Sequence, residues 1–167
     1  MSHYTQKYNY KIIETTKLMK TLKIYFIAFV TTISITSCGS SLYDHFTYTE
    51  TIDTKLQALS LMDKSDDAFS SHENEVIALK NQLEKMLTYE KGKGKNEITT
   101  KMWEVLNNDN KLIKSYLALW EQKGSLNVAF IQEAKPQIEE AFNILIQYEE
   151  KKDKTNENAV VNFISNL

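Results

Sequence analysis

The chain has 167 residues, 42% of them hydrophobic, with one Pro, four Gly and a formal net charge of −2. That length holds one core but is short for two, and the scarcity of Pro and Gly argues against an all-β fold and for long helices. The single Cys excludes an intramolecular disulfide and any cysteine-rich zinc or iron–sulfur site, and every basic residue is Lys, so the bidentate fork of Arg is missing throughout.

In chain order, residues 1–18 fit no pattern and read as an upstream extension, with translation expected to start at Met19. From there the sequence runs MKTLKIYFIAFVTTISITSC: Lys20 and Lys23 precede an apolar stretch from Leu22 to Ile35, and small polar residues follow. This is the layout of a secretory signal, too short and too rich in Thr and Ser for a membrane span, which takes about 20 mainly apolar residues. Its last four residues, Ile35-Thr36-Ser37-Cys38, resemble a bacterial lipobox. The resemblance implies that Cys38 takes a diacylglycerol thioether, that the peptide bond before it is cut, and that acylated Cys38 attaches the protein to membrane lipid. Residues 19–37 are then the lipoprotein signal peptide and 38–47 a tether.

Regular helical patterning begins near Tyr48. The first predicted helix, over 48–64, places Tyr48, Ile52, Leu56, Leu59 and Met62 on one face. The second starts at Ser65 as N-cap, with Asp66 and Asp67 in its first turn, or at Ser70, which forms a capping-box pattern with Glu73. Phe69, His72, Val76, Leu79, Leu83 and Met86 form its seam, and KGKGKN at 91–96 ends it. The third, from Glu97 to Lys123, has a wide apolar face that includes Met102, Trp103, Leu117 and Trp120. Asn107-Asn108-Asp109-Asn110 interrupts it and predicts a kink or short break. Gly124-Ser125 closes that helix and caps the fourth, whose stripe is Ile131, Ala134, Ile138, Ala141, Leu145 and Tyr148, with a bend at Pro136. The expected fold is all-α, an antiparallel up-down-up-down four-helix bundle over 48–151, with 152–167 a frayed tail. No internal repeat is evident.

Without residues 1–37, which hold five Lys and one Glu, the remainder has 15 Lys and 21 acidic residues, a net charge of −6. A mildly acidic body argues against a nucleic-acid partner. If the first helix runs away from the lipid end and the second returns, the Lys-rich loop lies at the anchor end, where Lys91, Lys93 and Lys95 would face lipid headgroups as a membrane-proximal basic loop. The first helix spans about 25 Å and the others nearer 40 Å. The anchor end therefore lacks a fourth helix and is lined by Leu83, Met86, Met102, Phe142, Leu145 and Tyr148; Leu42, Tyr43 and Phe46 of the tether are expected to fold over it, since exposed apolar clusters of that size are uncommon, and the alternative is an apolar groove left open there.

The sequence holds no constellation of catalytic residues. His72 stands alone on a helical seam, the chain has no Glu-x-x-His pair for di-iron and no Cys-x-x-Cys-His for haem attachment, and the Glu-rich faces of the second and fourth helices read as solvated surfaces. No catalytic residue, metal ligand or cofactor is assigned. The lipobox, the Lys- and Asn-rich composition and the YEKGKGKNEIT turn make the chain similar to small helical lipoproteins of Bacteroidota that carry no assigned activity. Gly39-Ser40-Ser41 lacks the acidic cluster that accompanies surface display in such bacteria, which implies the outer membrane, facing the periplasm. The expected function is a non-enzymatic interaction or structural module bound to an envelope protein of unknown identity. The alternative is a carrier or sensor of an apolar ligand, lipid or haem, in the open end of the bundle.

Overall fold

The computed structural model describes residues 43–167. Residues 1–42, and with them the expected extension, signal peptide, Cys38 and Leu42, lie outside the described residues. Those described form six helices and no strand: α1 (His45–Met62), α2 (Glu73–Lys91), α3 (Glu97–Leu106), α4 (Leu112–Lys123), α5 (Val128–Lys151) and α6 (Lys154–Ser165), with a 3-10 turn at Phe69–Ser71 before α2.

Helix α1 begins three residues earlier than the sequence suggests, so its first turn takes in part of the expected tether. Asp44 is its N-cap, accepting from the amides of Phe46 and Thr47 at 2.9 and 3.4 Å. Met62 of the predicted face is buried and Leu59 packs against the core, but over the rest of the helix the buried face is rotated from the predicted one. Thr47, Thr51, Thr54, Ala58 and Leu61 point inward, whereas Leu56 is 59% exposed. These residues share the 4-3 spacing of the predicted face but are mostly small, which lets α1 lie close against α5 and α2. The hydroxyls of Thr51 and Thr54 donate to the carbonyls of Thr47 and Glu50, each at 2.6 Å, so burying them strands no donor.

Neither predicted start of α2 survives. Ser65 is buried and bonds the Met62 carbonyl and the Tyr116 hydroxyl, and α2 starts at Glu73 after His72, with no side-chain cap. The reason is tertiary. The Leu126 amide donates to the Ser65 carbonyl at 2.8 Å, the Phe69 amide to Gly124 at 2.7 Å, and the Trp120 indole to Asp67 at 3.1 Å, which holds 65–72 as a connector. From Val76 the predicted seam holds: Val76, Leu79, Leu83 and Met86 are all buried.

The interruption foreseen at Asn107-Asn108-Asp109-Asn110 is a full break between α3 and α4, with the Asn110 amide donating to the Asn108 side chain at 2.9 Å. Gly124 ends α4 at φ +77°, where a side chain would be strained. Helix α5 is capped by Asn127 rather than Ser125 and continues through Pro136.

The expected frayed tail is helical. Lys152, at φ +48°, ends α5, and Asp153 caps α6 by accepting from the Asn156 amide at 2.8 Å. Val160 is buried, with Phe163 and Ile164 against the core, so α6 packs on α5 and α3. An amphipathic segment this short acquires its helicity from that docking, not from its own propensity.

Candidate functional site

The end of the bundle where α1 starts also holds the α2–α3 loop, as Lys93 shows: its ammonium lies 2.9 Å from Asp44, 2.8 Å from Glu90 and 2.8 Å from the Thr47 hydroxyl. Lys91 pairs with Glu104 at 3.3 Å and is exposed, and Lys95 is exposed at φ +57°. The three lysines therefore do not act alike. Lys93 turns inward to two carboxylates and is not available to a headgroup in this arrangement, which corrects the expectation that all three face outward.

The possible apolar groove is not found at the residues that would line it. Leu83, Met86, Met102, Phe142 and Leu145 are fully buried and Tyr148 is 6% exposed, so these six are core. Of the tether residues expected to cover them, Leu42 lies outside the described residues and the other two do not fold over: Tyr43 and Phe46 remain exposed, and Phe46 sits against Tyr89 with ring centroids 4.7 Å apart. What closes the end is polar. Glu90 and Glu149 are both fully buried, although the sequence places them on solvated Glu-rich faces.

Each carboxylate has its partners. Glu90 accepts from the Thr47 hydroxyl and the Asn96 amide and pairs with Lys93. Glu149 accepts from the Thr99 hydroxyl, and the Lys152 ammonium lies 2.9 Å from its other oxygen. Both extend the apolar seams by one step, after Leu79, Leu83 and Met86 in α2 and after Ile138, Phe142 and Leu145 in α5. That 4-3-4 spacing is the sequence signal that identifies them.

Burial is the main influence on Glu149 and pushes its carboxyl up, with the Thr99 hydroxyl and Lys152 working against it and the nearby Glu90 charge adding to it. Asp44 goes the other way. Burial acts to raise it, but hydrogen bonds from Lys93 and Tyr89 and the Lys93 charge outweigh that and hold it well below the usual carboxylate range. For Lys93 the desolvation that would lower it is outweighed by Glu90 and Asp44, so its ammonium is held above the ordinary value.

These directions predict a pH dependence for the Asp44–Lys93 pair. A carboxyl lower in the folded than in the unfolded chain contributes stability above its unfolded value and loses it as pH falls through the folded one. Asp44→Asn keeps an oxygen to cap α1 but loses the charge. At neutral pH it should cost about 1 kcal/mol in urea unfolding, a difference that closes in acid as the wild-type carboxyl is protonated.

No family model, curated protein or solved structure matches this chain. The remaining features are surface ones. Two adjoining grooves of about 390 and 490 Å³ run along α5 and share Leu112, Gln137 and Leu167. Tyr116 and Phe130 stack in the first with centroids 5.8 Å apart. At the other end of the molecule from the Lys-rich loop, His72 lies between Glu75 (3.0 Å) and Asp67 (3.5 Å), and chiefly the Glu75 bond raises it. Among the described residues there is no cluster of three or more His, Cys, Asp or Glu placed to hold a metal, and no helix is long and apolar enough to cross a membrane.

Proposed function

We propose that the protein is a lipid-anchored helical module of the bacterial envelope, held by acylated Cys38 on the periplasmic face of the outer membrane, that works by binding another envelope protein and not by catalysis. The observation that carries this is the place of Asp44. It stands six residues after Cys38 and pairs with Lys93 of the α2–α3 loop. A six-residue connection reaches at most about 20 Å. The reading therefore brings the loop end of the bundle to the lipid surface, with Lys91 and Lys95 exposed there.

In this reading α1, α2, α3 with α4, and α5 are the four antiparallel legs of the expected bundle, and α6 is an addition to it. The carrier alternative, for lipid or haem, loses its support at the loop end, because the residues chosen to line a groove are packed in the core.

The test is mass analysis of the full chain produced in a Gram-negative host, beside Cys38→Ser. Expected are loss of the residues before Cys38, a diacylglycerol thioether on Cys38 and membrane fractionation, with the serine variant uncleaved. An unmodified Cys38 in the wild-type protein overturns the proposal.

A further inference from the structure

Two clusters at the loop end repeat the same chemistry. In the first, Asp44 caps α1, Thr47 is the third residue of α1, and Tyr89-Glu90-Lys91-Gly92-Lys93 closes α2. In the second, Asn96 is the N-cap position of α3, Thr99 is the third residue of α3, and Tyr148-Glu149-Glu150-Lys151-Lys152 closes α5. Each threonine hydroxyl donates to Oε1 of its glutamate. Each lysine, three residues after the glutamate, pairs with Oε2, at 2.8 and 2.9 Å. Each lysine also lies over the ring of the tyrosine before the glutamate, 5.1 and 5.9 Å from its centroid. The threonine and glutamate are 43 residues apart in one and 50 in the other.

Agreement extends to the apolar residues before each glutamate. Leu83 and Met86 precede Glu90 by seven and four, and Phe142 and Leu145 precede Glu149 by the same steps, all four wholly buried. Five features recur, with identical spacing within each half of the clasp though not between the halves: the N-cap position and the threonine three residues on, and the tyrosine, the buried glutamate and its i+3 lysine.

We propose that the chain is a tandem repeat of one helical hairpin, α1–α2 and then α3 to α5, and that the pattern Asp/Asn-x-x-Thr with Tyr-Glu-x-x-Lys is the clasp that closes each. The clasp ties the start of the outgoing helix to the end of the returning one. The hydroxyl and the ammonium together offset part of what burying each carboxylate costs. The long-range hydroxyl bond also fixes the rotation of each helix start, since only the third residue of the helix presents its side chain to the returning glutamate.

The two clasps share this core but differ around it: Asp44 caps α1 with its side chain and pairs with Lys93, which also donates to the Thr47 hydroxyl, whereas Asn96 makes no side-chain cap bond to α3. Asn96, at the N-cap position of the second hairpin, instead donates its side-chain amide to Glu90 of the first, so the halves are joined through that side chain. Helix α6 follows only the second clasp; beside it Tyr148 is buried, whereas Tyr89 is 39% exposed.

The test is a pair of double-mutant cycles in the full chain, Thr47→Val with Glu90→Gln and Thr99→Val with Glu149→Gln, read by urea unfolding. Within each clasp the two substitutions should be non-additive by about fivefold or more in the unfolding constant, whereas the crossed pairs Thr47 with Glu149 and Thr99 with Glu90, linked only through Asn96 and the Glu90 charge, couple more weakly than either. If a glutamine variant does not fold, native-state hydrogen exchange on the valine variants decides. Thr47→Val should release amides at the start of α1 and the end of α2, Thr99→Val those at the start of α3 and the end of α5, and serine at either position should restore them. Additive behaviour in either cycle, or equal loss of protection at both clasps from one substitution, overturns the proposal.

Discussion

Replacing Lys152 by Met is expected to cost about 3 kcal/mol of stability at neutral pH, the magnitude for removing one partner of a buried ion pair. The Lys152 and Glu149 side chains are 3% and 0% exposed, so water cannot take over from the ammonium. Methionine keeps most of the aliphatic stem, which limits the loss to charge. The pH dependence is as informative as the size. Burial already lifts the Glu149 carboxyl in the folded chain, so the folded form holds its proton more tightly than the unfolded form and the ionised carboxylate costs stability at neutral pH. Removing the cation widens that gap. The deficit should therefore be largest near pH 7 and shrink as pH falls through the raised value towards the ordinary carboxylate range. Urea midpoints for both proteins from pH 7 to pH 4 measure it, and a deficit that stays constant over that span would show that the ion pair is not its source.

Phe142→Ala should destabilise by about 4 kcal/mol, as truncation of a buried aromatic leaves a cavity the neighbours only partly fill. The ring is wholly buried and meets Trp103 edge-on at 6.5 Å between centroids. The same substitution separates a core from a groove. A residue lining an open apolar groove is already partly hydrated, and truncating it would change stability by about 1 kcal/mol or less. A small effect in thermal or urea unfolding would restore an accessible pocket at the loop end, and with it the apolar-ligand alternative.

The interior of α2 and α5 was legible because its information is local. Val76, Leu79, Leu83 and Met86, and Ile138, Ala141, Leu145 and Tyr148, carry their period in the residue types themselves. The break at 107–110 was legible for the same reason, since four consecutive Asn and Asp compete for backbone bonds wherever the chain goes. Where residue type and position disagree, local reading fails. Glu90 and Glu149 sit on seams but look like surface, and Thr47, Thr51 and Thr54 form an inner face that is less apolar than the outer one.

Helical class, the loop at 91–96, the break at 107–110 and the candidate lipid attachment at Cys38 can thus be read from composition, periodicity and a four-residue signal, with no knowledge of what packs on what. Which face of α1 turns inward, where α2 begins, whether 154–165 folds and what closes the loop end were decided only by the tertiary structure. Each depends on a partner far along the chain: Thr47 on Glu90, Ser65 on Leu126, Thr99 on Glu149. A buried charge or hydroxyl is unfavourable until its partner arrives, so its place is set by the assembled fold and not by the segment that carries it.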